Sequence, residues 1–190
     1  MKLIIGIGNP DEEYLATRHN VGWQFLDWLL KKYGSKNDEW RSEAKLNAEV
    51  VKTEIEGIKA VLAKPTTFVN RSGDAARRLK PWAKAKNEDI VIVQDDLDIP
   101  FGNCKLSFEK NSGGHRGVES IMSALKTKKF WRVRIGLGSR ALDKARAQSD
   151  KKRDEWVRDY VLKKFTPKEQ ETLKTVFKDC EVRLMQTLKS

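Results

Sequence analysis

The segment DIVIVQDD, residues 89–96, decides the fold class of this chain of 190 residues. Its unbroken run of β-branched residues predicts a strand buried on both faces, which is typical of the middle of a parallel sheet. Carboxylates follow at the carboxyl end of this strand, where open α/β sheets place their functional sites. We therefore expect an α/β protein with a site close to Asp95.

Strand-like and helix-like segments alternate on both sides of this strand. The apolar run 2–8 predicts another buried strand, and the spacing of apolar residues from His19 to Tyr33 predicts a helix. The same criteria predict strands in AEVVKTEI, IKAVLA, GNCKLSFEK and FWRVRIGLG, and helices in DAARRLKPWAK, VESIMSALK, WVRDYVLKKF and TPKEQETLKTVFKDCEVRLMQTLK. This alternation predicts an α/β sheet with helices on both faces, in a single domain over residues 1–190.

The stretch 141–156 is rich in charged residues and poor in apolar ones. This composition predicts a mobile loop or lid. The last helix has the sequence of a capping box, with Thr166 as its N-cap and Glu169 three residues later.

The charge of the chain points to a polyanionic partner. There are 38 Lys and Arg residues against 27 Asp and Glu residues, a formal net charge of +11, which favours nucleic acid or an acidic membrane surface. No stretch approaches the ~20 apolar residues of a membrane span, and the first apolar run is too short for a signal peptide. Cys104 and Cys180 are far apart in the sequence and match no metal-binding spacing. We therefore interpret them as buried or unreactive thiols in a reducing compartment. We expect a cytoplasmic protein that does not insert into membranes.

The two histidines, His19 and His115, both lie in short polar segments that contain glycine. His19 stands at the start of a predicted helix, where the positive end of the helix dipole favours the neutral imidazole that a general base needs. The alternative is a helix cap without a chemical role. His115 lies in SGGHRG, a glycine-rich loop before a helix, which is typical of an anion site. It is either a second catalytic group or phosphate contact, or an exposed residue of a turn.

The carboxylates of QDDLD, Asp95, Asp96 and Asp98, allow three interpretations. They form a divalent-metal site, one of them orients a histidine, or they belong to a polar loop after a buried strand. The chain has no G-x-S-x-G nucleophile elbow, which favours water as the nucleophile of a hydrolase. A dinucleotide site is disfavoured because Asp11 stands where the fingerprint after the first strand requires glycine.

Basic residues after the central strand form a candidate path for phosphates. They are Lys105, Lys110, Arg132, Arg134 and the basic residues within 144–164. An ordinary solvated surface is the alternative, and the residues alone leave both interpretations open.

Several segments together resemble a known family. The bacterial-type peptidyl-tRNA hydrolases are matched, in order and spacing, by GNPDEEYLATRHNVG, KPTTFVNRSGDA, VQDDLDIPFG, SGGHRGVESI, FWRVRIGLG and DYVLKKFTPKE. The likeness extends over residues 2–188. It implies a monomeric protein with a mixed, twisted β-sheet between helices. It also implies cleavage of the ester between a peptide and the terminal ribose of tRNA, without a metal or another cofactor.

The resemblance also implies roles for individual residues. His19 is the base that activates water, Asp95 orients His19, and Asn9 helps to distinguish blocked from free aminoacyl ends. Asn70 suits a donor to the developing oxyanion. The expected contacts with tRNA or the peptide are Tyr14, Phe68, Asn70, Lys105, Arg134, His115 and Arg116.

Three residues depart from the family pattern. Asp11 replaces a glycine after Asn-Pro, Ser107 replaces a basic residue that helps to hold the tRNA 5′-phosphate in relatives, and Arg116 replaces an asparagine. Arg116 carries charge and donates hydrogen bonds, but it cannot accept one as asparagine does. The alternative to the hydrolase is therefore a non-catalytic RNA-binding protein on the same fold.

Overall fold

A computed structural model describes residues 1–189, which form a seven-stranded sheet covered by helices. The strands are β1 Lys2–Gly6, β2 Arg41–Glu43, β3 Ala48–Ile55, β4 Ile58–Pro65, β5 Ile90–Pro100, β6 Cys104–Phe108 and β7 Trp131–Gly138. The α-helices are α1 Val21–Tyr33, α2 Ser72–Trp82, α3 Arg116–Leu125, α4 Arg140–Arg146, α5 Asp150–Val161 and α6 Pro167–Leu188. None of the helices within residues 1–189 has the length and apolar character needed to cross a membrane.

The sheet order is β2-β3-β4-β1-β5-β7-β6, so the segment 89–96 lies close to its middle. Strands β4, β1, β5 and β7 are parallel, whereas β2, β3 and β6 pair in antiparallel fashion. The predicted α/β class, with a mixed sheet between helices, is confirmed. Strand β1 ends at Gly6, beside Val93 of β5, so Asp95 lies two residues further along β5, just beyond the carboxyl end of β1.

Each face of the sheet packs against a pair of helices. Helices α1 and α6 cover one face, and their core includes Phe25 and Phe177. Helices α2 and α3 cover the other face, and their core includes Leu79 and Ile121. Both cysteines are free thiols buried in the first of these cores.

The stretch 141–156 is largely helical, and the prediction of a loop there is wrong. Helices α4 and α5 take up most of it. Ser139 caps α4 by accepting a hydrogen bond from the backbone N–H of Leu142. Leu142, Ala145 and Val161 are buried, while most of the charged side chains face solvent. The sequence did not indicate these two amphipathic helices, because each needs only a narrow apolar face and most of its other residues are charged.

Smaller differences concern the ends of elements. Helix α1 begins at Val21 rather than at His19, because residues 18–20 form a 3-10 turn before it. Strand β2 was not predicted, since RSE is short, polar and mostly exposed. The capping box of α6 is confirmed: the hydroxyl of Thr166 accepts from the N–H of Glu169, whose carboxylate accepts from the N–H of Thr166.

Helix α1 approaches β1 and β5 closely because it has glycine at position 22. A Cβ atom on Gly22 would lie 2.6 Å from the carbonyl oxygen of Val93 in β5, and 2.8 Å from that of Ile7 just after β1. The turn 18–20 is thereby held close to the carboxyl end of β1 and the middle of β5. This contact brings His19 within reach of Asp95.

Replacing Gly22 by alanine should destabilise the protein. The new Cβ atom would meet backbone atoms of two strands, which cannot rotate away as a side chain can. We expect the free energy of unfolding to fall by about 1–3 kcal/mol, measured by denaturant titration. Lys31→Ala, at an exposed position of the same helix, is the control and should change it little. A Gly22→Ala variant as stable as the wild type would contradict the close approach.

Candidate active site

A cavity of about 950 Å³ opens beyond the carboxyl end of β1, over the second half of β5. Its walls come from the segment after β1, the turn 18–20, the loop after β4, residues 94–98 of β5, the glycine-rich loop before α3, and helix α5. Part of the stretch predicted as a lid therefore borders the cavity. The sequence-predicted site residues that line it are Asn9, His19, Phe68, Asn70, Asp95, His115 and Arg116.

The imidazole of His19 contacts the carboxylate of Asp95 in this cavity. Nδ1 of His19 lies 2.9 Å from Oδ2 and 3.0 Å from Oδ1 of Asp95. Asp95 is only 3% exposed, whereas His19 remains accessible from the cavity. A proton on Nδ1 is bound by the carboxylate, so Nε2 is left as the basic nitrogen. Since Asn20 is the N-cap of α1, the interpretation of His19 as a helix cap is wrong.

Asp95 determines the protonation behaviour of His19. Burial lowers the pKa of His19, but the charge of Asp95 and the hydrogen bond to it outweigh burial, and the net pKa is raised. The lowered pKa expected from the helix dipole is therefore wrong, because a carboxylate in contact acts more strongly on His19 than a helix end does. Burial by itself would raise the pKa of Asp95, but the two histidines hold it far below its usual range. Asp95 is therefore an anion near neutral pH.

His115 contacts the same carboxylate from the glycine-rich loop. Its Nε2 lies 2.9 Å from Oδ1 of Asp95. It is also the N-cap of α3, where its Nδ1 accepts a hydrogen bond from the backbone N–H of Val118 at 3.4 Å. Gly113 and Gly114, at φ +67° and +81°, supply the left-handed turns that lead the chain into this position.

Hydrogen bonds hold Asn9 in one orientation after β1. Its backbone N–H donates to Oδ1 of Asn20 and its carbonyl oxygen accepts from Nδ2 of Asn20, both at 2.9 Å. Its side-chain oxygen accepts from the backbone N–H of Val69 at 3.0 Å. Because the oxygen is used in this way, the Asn9 side chain offers its nitrogen, a donor, to a ligand.

The loop after β4 and the first residue of α3 contribute exposed groups to the cavity wall. Asn70 is exposed in a 3-10 turn over 69–71, and Arg116 is exposed at the first position of α3. Phe68 is 50% exposed, and its ring meets that of Tyr14 edge to face, with centroids 6.5 Å apart. Tyr14 does not line the cavity, but its ring contacts Phe68, which does.

The predicted phosphate contacts Lys105 and Arg134 lie outside the cavity, as cross-strand neighbours on β6 and β7. Lys105 is exposed, whereas Arg134 is largely buried and its Nε donates to Oδ2 of Asp96 at 2.8 Å. Arg132 is 1% exposed and donates to the carbonyl oxygen of Asn111, and burial lowers its pKa to about 10. Arg132 is thus part of the core, and its interpretation as a phosphate contact is wrong.

The carboxylates of QDDLD do not converge on a metal site. Asp95 faces the two histidines, Asp96 pairs with Arg134, and Asp98 pairs with Arg146 of α4. Three carboxylates with three different cationic or imidazole partners do not form a shared coordination sphere.

Within residues 1–189, one group has the spacing of metal ligands: His19, Asp95 and His115. The backbone N–H of Val118 donates to Nδ1 of His115, which places the ring proton of His115 on Nε2. This is the nitrogen that faces Asp95, and it would have to lose its proton before a metal could bind there. The group therefore fits a chain of hydrogen bonds better than a metal centre.

Arg18 secures the turn that carries His19, and the sequence did not single it out. Its guanidinium binds both carboxylate oxygens of Glu169, at 3.0 and 2.9 Å, and the carbonyl oxygen of Lys164 at 2.9 Å. It also lies over the ring of Tyr160, 4.8 Å from the centroid. These partners are far along the chain, so no local pattern marks them as neighbours of the site.

Known proteins resemble this chain over almost its whole length. A family model described as peptidyl-tRNA hydrolase matches residues 3–190. A peptidyl-tRNA hydrolase of Aquifex aeolicus (strain VF5) is 39% identical over 188 residues, covering 99% of this chain and 90% of that protein. A peptidyl-tRNA hydrolase of Bacillus cereus (strain Q1) is 40% identical over 169 residues, covering 89% and 83%. The crystal structure of peptidyl-tRNA hydrolase from Acinetobacter baumannii has a TM-score of 0.82 at 29% identity, covering 100% and 93%. The chain therefore belongs to the peptidyl-tRNA hydrolase family.

Proposed function

We propose that this protein hydrolyses the ester bond of peptidyl-tRNA with a water molecule activated by His19. The observation that carries the proposal is the contact between His19 and the buried anion Asp95 in an open cavity. The family membership supports the reaction, and the contact supports the mechanism. The substrate class includes any aminoacyl-tRNA whose amino group is blocked.

The proposed step is a direct attack of water on the ester carbonyl carbon. Nε2 of His19 takes a proton from water as its oxygen bonds to that carbon. The carbonyl oxygen gains negative charge, which Asn70 on the cavity wall is placed to stabilise by donating a hydrogen bond. The bond to the ribose oxygen then breaks, and that oxygen takes the proton from His19. The products are the free peptide acid and tRNA.

Asn9 is proposed to select blocked substrates. Its side chain offers an N–H donor because its oxygen is bound to the N–H of Val69. A blocked amino group carries a carbonyl oxygen that accepts such a hydrogen bond. A free amino group is a cation and a donor, which this nitrogen does not attract.

Five other predicted residues are proposed to bind tRNA and the peptide. Phe68 and Tyr14 form an apolar surface for the peptide or the terminal base. Arg116 offers an exposed positive charge for a phosphate. Lys105 and Arg134, which are neighbours on β6 and β7 at the edge of the sheet, provide a second positively charged site. We propose that the protein acts as a monomer in the cytoplasm, as the resemblance to the family implies.

His19→Ala should lower kcat/KM about 10²- to 10⁴-fold for an N-acetyl-aminoacyl-tRNA, because the base is lost. Release of the blocked amino acid would be measured with EDTA present, and the unblocked aminoacyl-tRNA would serve as the control substrate. The wild type should cleave the blocked substrate only. Wild-type protein that binds tRNA but cleaves neither substrate would favour the non-catalytic RNA-binding protein. Unchanged turnover in the variant would exclude His19 as the base.

Asp95→Asn should move the acid limb of the pH–rate profile to lower pH. Asp95 raises the pKa of His19, so without its charge the opposing effect of burial remains and the pKa of His19 falls. The plateau rate should also fall, by about 10³- to 10⁴-fold, because the amide does not hold the imidazole as the carboxylate does. Asp154→Asn, a carboxylate on the α5 wall of the cavity, is the control and should leave the acid limb in place. A limb that moved upward in Asp95→Asn would contradict this assignment.

Asn70→Ala should lower kcat about 10²- to 10³-fold with a smaller change in KM, because an oxyanion donor acts mainly in the transition state. Asn70→Asp, which is of equal size, should lose at least as much, since its charge repels the oxyanion. Steady-state kinetics on the blocked substrate would measure both. An effect confined to KM would show that Asn70 binds substrate without stabilising the transition state.

A further inference from the structure

We propose that His115 is a positioning residue for this reaction, which holds one oxygen of Asp95 in place so that the carboxylate orients His19 and moderates its basicity. The inference deepens the proposed hydrolysis and rests on it. It changes the expected role of His115, which the sequence placed among the contacts with substrate.

Both ring nitrogens of His115 are used inside the protein. Nδ1 accepts from the backbone N–H of Val118 at 3.4 Å, and Nε2 lies 2.9 Å from Oδ1 of Asp95. A nitrogen that accepts from an N–H carries no proton, so the single proton of the neutral ring is on Nε2 and is donated to Asp95. The capping of α3 therefore fixes the tautomer of His115. Neither nitrogen is left to bind tRNA or the peptide by a hydrogen bond.

Asp95 thus accepts from two imidazoles that differ in their freedom. His115 is locked as a donor, because a second proton on its ring would end the hydrogen bond that caps α3. His19 is free to exchange a proton at Nε2, since only its Nδ1 contacts the carboxylate. Protons of the reaction therefore pass through His19, while His115 keeps Asp95 in place.

The hydrogen bond from His115 also stabilises part of the negative charge of the Asp95 carboxylate. A carboxylate that donors stabilise acts less strongly as an acceptor for His19. Loss of this donor should leave more of the negative charge to act on His19 and should make its imidazole more basic. The rotation of Asp95 would also be less restricted.

The other charged groups around this cluster are largely paired or balanced. Asp96 is bound to Arg134, and Asp98 to Arg146. The first residue of α3, Arg116, lines the cavity and has no ion pair among residues 1–189. The α5 wall adds two cations and two anions: Lys151, Arg158, Asp154 and Glu155. None of these groups is a hydrogen-bond partner of Asp95, so the direct response of His19 to substitution at position 115 should pass through Asp95.

Two substitutions separate this role from the capping of α3. His115→Asn keeps a good N-cap but is too short to reach Asp95. His115→Gln is long enough to donate an amide N–H to Asp95, but glutamine is not a favoured N-cap. A structural role predicts that Gln is the more harmful change, whereas a positioning role predicts that Asn is.

The experiment measures the titration of His19 and the tautomer of His115 by NMR with ¹⁵N-labelled imidazoles, together with the pH profile of kcat/KM and the melting temperature. The chain has two histidines, so the assignment needs only the His19→Ala spectrum for comparison. We expect the Nε2–H tautomer for His115 in the wild type. In His115→Asn we expect the His19 titration and the acid limb to move up by about 0.5–1 pH unit. In His115→Gln both should return toward the wild-type position.

Three results would overturn the inference. They are an Nδ1–H tautomer of His115, a His19 titration that does not move in His115→Asn, and shifts in both variants that follow the loss of melting temperature. The NMR titration needs no substrate, so it also separates this inference from the proposed function. Wild-type protein that hydrolyses nothing but shows the expected tautomer and shift would support the coupling while excluding the reaction.

Discussion

The burial of one ionised carboxylate, that of Asp95, is the constraint on which the site depends. An unpaired carboxylate in the interior costs several kcal/mol, so a fold that buries one must bring donors to it. Here the donors are His19, from the turn before α1, and His115, from the loop before α3. One anion in β5, just beyond the carboxyl end of β1, thus fixes two loops that lead to helices on opposite faces of the sheet.

Contacts beyond the carboxylate keep the turn of His19 in reach of it. Gly22 lets α1 approach the backbone of β1 and β5, and Arg18 binds Glu169 at the capped start of α6. A backbone bridge between Thr17 and Lys164 adds to this attachment. The carboxyl-terminal helices therefore do more than cover the core, since they hold the turn that carries the proposed base.

The positive charge of the protein is divided between structural and exposed groups. Arg132 is buried and donates to the carbonyl oxygen of Asn111, so its charge helps to satisfy the interior. Arg116 and Lys105 are exposed and are free to meet a polyanion. A net charge of +11 describes the long-range field, but it does not say which cations touch a phosphate.

The sequence by itself determined the elements whose information is local. The β-branched run of β5 and the capping box at Thr166 need no distant partner to be recognised, and the order of motifs around His19 and Asp95 identified the family. The tertiary structure alone decided the helices within 141–156, the raised pKa of His19 and the engagement of both nitrogens of His115. The last two depend on contacts of His19 and His115 with Asp95, and these residues are far apart in the chain and become neighbours only when the sheet and its loops assemble.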